Sequence, residues 1–429
     1  MEEIRLLRCV NTGGGEGTLA FDFAYSAGLA PYFRGTTLRC AFGEALDGVP
    51  EAVLCTLFAA NFLPFVWLFD AALILPALDA DFYDALPNIL AGYRKLYPAL
   101  HAGKIVCAQI ERVRPAQSAV SSALFFSGGL DSIQTLLAHR SEQPDLLTLW
   151  GADIAYANAA AWQTLSAQLG AVAEGEGLKR RIIHTNFRDL EDEGALSRPA
   201  HSLLGDNWWH GLKHAMALFG HTAPLIWKYG YTKLYIASSN PQTRAEAKCA
   251  SNPYADNAVR LCGCQVVHDG FAFNRQAKAA NVVEICTKRG RPIPLHVCWR
   301  SKDGRNCCAC EKCFRTIAAL LAEGGEPEHF GFGGYRRTFT LARVAETIGK
   351  LLHAGGAGQD NLLHEWREIA SRLEAQRAQW RAHPSARVLD WIARSESIRS
   401  GKAIKPAWPL YVAIQCNRLK RCLSKPFKR

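Results

Sequence analysis

The sequence predicts an α/β fold: a doubly wound parallel sheet with an α+β region before it and a helical region after it. Three observations point there. Across residues 119–325, short apolar runs alternate with stretches of helical periodicity. One run leads into SGGLDS, residues 127–132, and a helical pattern follows at once. Further on, four cysteines stand in the spacing C-x8-C-x2-C-x2-C.

Residues 1–118 read as an accessory α+β domain. Runs 4–10 (IRLLRCV) and 18–25 (TLAFDFAY) are expected as strands, and a helix is expected near 84–97. Residues 52–78 are long and apolar enough to imitate a membrane span. Asn61, Pro64 and Asp70 interrupt them and Pro76 lies near their end, so two buried helices or a helix-turn pair are expected instead, with no transmembrane span. Residues 119–325 form the central domain. Its strands are expected at 123–126 (ALFF), 146–150 (LLTLW), 181–185 (RIIHT), 234–238 (LYIAS) and 264–268 (CQVVH). Helices are expected at 132–140, 159–174, 207–229 and 275–289, joined by right-handed crossovers. Residues 326–429 form a helical region, with helices at 341–353 and 361–380. The Gly-rich stretch 323–334 reads as the linker into it, and the chain ends in a basic tail with six Lys or Arg after Asn417.

A chain of 429 residues allows two or three such domains. The net charge of +11 suits polyanionic partners such as nucleotides, tRNA or an anionic membrane without selecting one. Nucleic acid therefore stays open as a partner, although no dedicated RNA-binding module is recognisable. Fifteen cysteines occur, and Glu2, Glu3 and Arg5 precede any apolar run, which argues against a secretion signal. A reducing, cytoplasmic setting is expected, with metal binding favoured over disulfides.

The glycine turn is the first chemical signal. In a parallel sheet, ligands sit beyond the carboxyl ends of strands, near the point where strand order switches. Gly128 and Gly129 let the main chain approach a ligand. The free N–H groups of the following helix attract anions, phosphate above all. Ser127 and Ser132 add hydroxyl donors. Asp131 would repel bare phosphate, which implies Mg²⁺ between carboxylate and phosphate. Ser127, Gly128, Gly129, Leu130, Asp131 and Ser132 are thus expected to form a phosphate-binding turn.

The cysteine run is the second signal. Cys298, Cys307, Cys310 and Cys313 are spaced to converge on one tetrahedral Zn²⁺. Cys308 is a spare in the same knuckle that leaves the ligand set open. An iron–sulfur cluster or reactive thiols are the competing readings.

Several polar residues are weaker candidates. His210 and His214 share one face of a predicted helix and stand beside Trp208 and Trp209, either in a substrate pocket or in the core. Lys213 reads as solvated or as a pyrophosphate contact. Ser239 and Asn240 end the fourth strand, where they suit ribose or substrate. His268 and Asp269 end the fifth and offer a general base or a structural pair.

SGGLDS resembles the SGGxDS loop of the N-type ATP pyrophosphatases, Rossmann-like enzymes that split ATP between its α and β phosphates. Together with the C-x8-C-x2-C-x2-C knuckle, residues 120–325 resemble 7-cyano-7-deazaguanine synthase. The resemblance implies ATP held by Ser127, Gly128, Gly129, Leu130, Asp131 and Ser132, with Asp131 and Ser132 in catalytic roles; it also implies Mg²⁺ and Zn²⁺, adenylation of a small-molecule carboxylate, release of AMP and pyrophosphate, and C–N bond formation. The regions at both ends depart from that compact family and suit a larger acceptor, a protein or a nucleotide sugar. A homo-oligomer is the expected assembly. An ATP-dependent epimerase of a UDP-N-acetylmuramoyl-dipeptide, or a tRNA-thiolation enzyme, are the alternative activities. A nucleotide-sensing or scaffold module is the non-enzymatic one.

Overall fold

The computed structural model describes residues 1–11, 14–115, 122–354 and 357–402. The basic tail and the boundary expected at 118/119 lie outside the described residues. Eleven strands form one mostly parallel sheet: β1 (Glu3–Asn11), β2 (Thr18–Tyr25), β3 (Thr37–Ala41), β4 (Ala72–Asp79), β5 (Lys104–Glu111), β6 (Ser122–Phe125), β7 (Asp145–Trp150), β8 (Arg180–Thr185), β9 (Lys233–Ala237), β10 (Arg260–Leu261) and β11 (Cys264–Asp269). Their order is β10-β11-β9-β6-β7-β8-β3-β2-β1-β4-β5. The five strands expected in the central region appear as β6, β7, β8, β9 and β11, all mutually parallel.

The chain runs from β6 outward through β7 and β8, then returns to place β9 on the other side of β6. Strand order therefore switches between β6 and β9, and the carboxyl end of β6 is the crevice end of the sheet. Ser127 follows that end directly. The sheet does not stop at the central strands. Cys40 pairs with Thr185 and Ala41 with His184, antiparallel, and this short seam joins β3, β2, β1, β4 and β5 to β8.

The helices α1 (Glu51–Phe69), α2 (Ala80–Arg94), α3 (Leu130–His139), α4 (Ala159–Glu176), α5 (Glu193–Leu204), α6 (His214–Tyr229) and α7 (Pro253–Asp256) lie between the strands. Residues 52–78 do not form two helices: α1 ends at Asp70 in the left-handed region, φ 50°, and the second half is strand β4. A strand buried between parallel neighbours carries a continuous apolar run, which periodicity cannot tell from a buried helix. α1 is long and apolar enough to cross a membrane, but 89% of its apolar window is buried, against α6 and β4 among others. Gly220 allows the approach of α6: a Cβ there would lie 2.7 Å from that of Ala60. Aromatic rings of Phe23, Phe33, Phe58, Phe62, Phe65 and Trp208 pack in one cluster beside them.

By contacts, the chain forms two compact units. One comprises Met1–Ser127 with Thr135–Phe271; the other comprises Gly128–Gln134 with the described residues from Ala272 onward. In the second unit lie α8 (Arg275–Lys288), α9 (Glu311–Ala322), α10 (Leu341–Ala354) and α11 (Ala357–Ala375). The stretch 323–334 is not a free linker. Phe330 and Phe332 are buried, Leu295 N–H donates to the Phe330 carbonyl at 3.0 Å, and the Asn306 side chain donates to Gly331 O at 3.0 Å.

Lys213 is neither solvated nor aimed at a phosphate. It is 1% exposed, and its Nζ lies 2.5 Å from Glu191 Oε1 and also donates to the Asn61 carbonyl. Trp208 Nε1 donates to the other Glu191 oxygen at 2.8 Å. Removing one member of such a pair strands a buried charge. Lys213→Ala should therefore lower unfolding free energy by roughly 3–5 kcal/mol, read from urea denaturation. The double change Lys213→Met with Glu191→Gln should recover part of that loss.

Candidate functional site

β6 is four residues long and buried, and it delivers the chain to the turn. Gly128 takes φ 74°, a left-handed angle that side chains resist; Gly129 does not need that freedom. The helix starts earlier than expected, at Leu130, so Asp131 and Ser132 lie in its first turn. Ser132 Oγ donates to Gly129 O at 3.0 Å, and Ile133 N–H donates to the same carbonyl at 2.9 Å. His296 N–H donates to Gly128 O at 2.7 Å, which fixes the turn from residues near the knuckle.

Asp131 is the charged centre of this unit. Its Oδ2 accepts from Arg275 Nη1 at 2.9 Å and its Oδ1 from Lys278 Nζ at 3.1 Å. Both cations come from the first turn of α8. Burial would raise the Asp131 carboxyl; Lys278, Arg275 and Lys312 outweigh it and bring it down to about 2. Arg275 also donates to Thr316 Oγ1 at 3.2 Å and lies 3.6 Å from Glu365 of α11. Glu365 is shared with Arg315, which reaches Glu311 at 3.1 Å, and Trp366 Nε1 donates to Glu311 at 2.9 Å. Helix α11, from the carboxyl-terminal region, thus braces the cation that grips Asp131. Mg²⁺ is expected beside this acid; each of its carboxylate oxygens accepts one hydrogen bond from a cation, which leaves a second lone pair on each. Arg275, Lys278 and Lys312 were missed in the sequence because they lie about 145 to 180 positions away in ordinary helical patterns.

The knuckle gathers as expected. One ligand atom from each of Cys298, Cys307, Cys310 and Cys313 lies within 4.8 Å of the others. Cys298 and Cys310 sulfurs are 3.9 Å apart, as are those of Cys307 and Cys313. Tetrahedral Zn–S bonds of about 2.3 Å require S···S of about 3.8 Å, so the four sulfurs are compatible with zinc. Cys308 is not part of the cluster. It sits at φ 50°, and its thiol turns to the carbonyls of Asn306 at 3.5 Å and Gly333 at 3.8 Å. Cys310 precedes α9, and its carbonyl accepts from Phe314 N–H at 3.0 Å, which ties the knuckle to a buried helix.

The weaker candidates divide. His268 is buried and its Nδ1 lies 2.7 Å from Asp256, while Asp269 meets Thr135 at 2.8 Å and His139 at 2.9 Å; both are occupied structurally. Ser239 is exposed and Asn240 half-buried past the end of β9, and the Asn240 carbonyl accepts from Ser238 Oγ at 2.5 Å. In the first unit His210 Nδ1 lies 2.8 Å from Asp206 and His214 Nδ1 lies 3.1 Å from the Trp209 carbonyl, and the two imidazoles outweigh burial to bring the Cys249 thiol down to about 6.

No protein-family model, curated protein or solved structure matches this chain.

Metal analysis of the purified protein should find about one zinc per chain. Cys313→Ser should abolish it, whereas Cys308→Ser should leave it unchanged.

Proposed function

We propose that this chain adenylates a substrate carboxylate, converting ATP to AMP and pyrophosphate, and passes the activated acyl group to an amine. The observation that carries the reading is the Gly128–Ser132 turn at a helix N-terminus, ringed by Arg275, Lys278 and Lys312. Backbone N–H groups at such an end, with cations beside them, suit a polyphosphate. The resemblance of SGGLDS and the knuckle to 7-cyano-7-deazaguanine synthase supplies the reaction class.

A carboxylate oxygen of the substrate attacks the α-phosphorus, and the bond from that phosphorus to the bridging oxygen breaks. The departing pyrophosphate gains negative charge, which the first turn of α3 and the α8 cations stabilise. An amine then attacks the acyl carbon, AMP leaves, and the amine proton passes to solvent. No side chain becomes covalent; the residues position and neutralise. The four-cysteine cluster, loaded with zinc, would hold the start of α9 and hence Lys312 and Arg315 in place. Asp131 orients the two α8 cations, and Mg²⁺ has no assigned step.

The purified protein, incubated with ATP, 7-carboxy-7-deazaguanine and ammonia, should form AMP and pyrophosphate in equal amounts, measured by ion-pair chromatography. Lys278→Ala should lower kcat/KM roughly 100-fold. Unchanged AMP formation in that variant, or ATP turnover to ADP, would overturn the reading.

A further inference from the structure

The loop between the first two knuckle cysteines lies wholly within the second unit, and the proposed adenylation leaves it unused. Cys298 and Cys307 both belong to the four-cysteine cluster, so the residues between them form a loop closed at its two ends. Trp299, the first of them, is 64% exposed, the most exposed aromatic ring among the described residues. An indole offers a large apolar face and ordinarily gains by being covered. Arg300 lies beside it, with the guanidinium carbon 4.9 Å from the ring centre. Among the described residues no other aromatic ring packs on it.

The loop has a fixed shape. Ser301 N–H donates to the Cys298 carbonyl at 3.4 Å. Asp303 Oδ1 accepts from Ser301 Oγ at 3.3 Å and from Arg305 N–H at 3.1 Å. Gly304 then turns the chain at φ 80°, an angle that side chains resist. Asn306 anchors the base of the loop. Its Oδ1 accepts from Val297 N–H at 3.0 Å, and its Nδ2 donates to the Leu295 and Gly331 carbonyls at 2.8 and 3.0 Å. The single acid of the loop is thus occupied in shaping it, while Arg300, Lys302 and Arg305 are exposed. Thr338 Oγ1 donates to the Cys308 carbonyl, so the segment carrying the exposed Arg336 and Arg337 docks on the knuckle as well.

We propose that this loop binds single-stranded nucleic acid, with an unpaired base stacked on Trp299 and neighbouring phosphates held by Arg300, Lys302 and Arg305. An aromatic face beside cations is the general means of holding a single strand, because every base has a π-face and every linkage a negative charge. A duplex does not fit the same groups, since its bases are already stacked on one another. An acidic peptide would satisfy the three cations but bring no flat ring to the indole. The net charge of +11 favours a polyanion over a neutral partner.

The fixed shape of the loop matters to the energetics. A flexible strand loses freedom when it is held, and a platform that is already shaped adds little further cost. The two parts of the contact are separable. Stacking on Trp299 is insensitive to salt, whereas each phosphate met by a cation releases counterions and weakens as salt rises. The basic tail adds an attraction of the second kind, which no substitution at Trp299 removes.

The test uses the intact, metal-loaded chain and fluorescence anisotropy with labelled oligouridylate and oligothymidylate at about 50 mM salt. At least one of these single strands should bind, and the tighter of the two assigns RNA or DNA as the ligand. Trp299→Ala should weaken binding roughly 10-fold, and Trp299→Phe, which keeps a ring, should recover most of that loss. Both variants should keep the zinc content of the unaltered chain, which separates lost stacking from a lost knuckle. Replacing Arg300, Lys302 and Arg305 together by Gln should flatten the slope of log Kd against log salt by roughly 2. The proposal is overturned if neither strand binds, or if Trp299→Ala binds as the unaltered chain does. It is overturned equally if a duplex or polyglutamate displaces the labelled strand as readily as an unlabelled single strand does; displacement by polyglutamate would assign the loop to an acidic protein. ATP turnover is not part of this readout, so failure here leaves the adenylation reading to its own assay.

Discussion

The grip of Arg275 and Lys278 on Asp131 is the interaction around which the second unit is organised. An acid placed in the first turn of a helix is already favoured by the helix dipole. Two cations from α8 on its two oxygens turn that acid into a hub joining α3 to α8, and Arg275 extends the hub through Glu365 to α11. Burying so many charges is costly unless each is paired. Here each is, through alternating signs from Glu311 to Arg315, Glu365, Arg275 and Asp131. The same alternation explains why the carboxyl-terminal helices belong with the turn. They supply Glu365 and Trp366, which fix the positions of two arginines and Glu311.

Much of the fold was legible because its strongest signals are local. The parallel strands β6, β7, β8, β9 and β11 are short apolar runs bounded by turn residues, and that pattern needs no knowledge of partners. What was not legible depends on pairing at a distance. β3 joins the two halves of the sheet through two residue pairs, Cys40 with Thr185 and Ala41 with His184, and nothing in TLRCA announces β8 as a neighbour. β4 looked like helix because burial on both sides erases the alternation that would reveal a strand.

The candidate sites divide along the same line. Cys298, Cys307, Cys310 and Cys313 lie within 16 positions, so spacing alone predicted their convergence, and geometry removed Cys308. The turn 127–132 was visible for the same reason. Its cations were not, because Arg275 and Lys278 are unremarkable at the start of an amphipathic stretch until α8 meets α3. Cys249 was equally silent: it stands in a segment without periodicity, 39 residues after His210, and only the fold brings them together. Nor does the helical spacing of His210 and His214 show that one ring meets Asp206 and the other the Trp209 carbonyl.

The cysteine inventory has a consequence for how this chain meets oxidants. Thiols yield to peroxide as thiolates, and burial holds Cys9, Cys40 and Cys55 up near 12, with Cys262 and Cys264 raised as well. These sulfurs are chemically quiet filler for the interior. Vulnerability to damage falls instead on Cys249, whose thiol is brought down to about 6 beside His210 and His214, and on the knuckle whenever its sulfurs are bare, so the count of fifteen cysteines overstates how many are at risk.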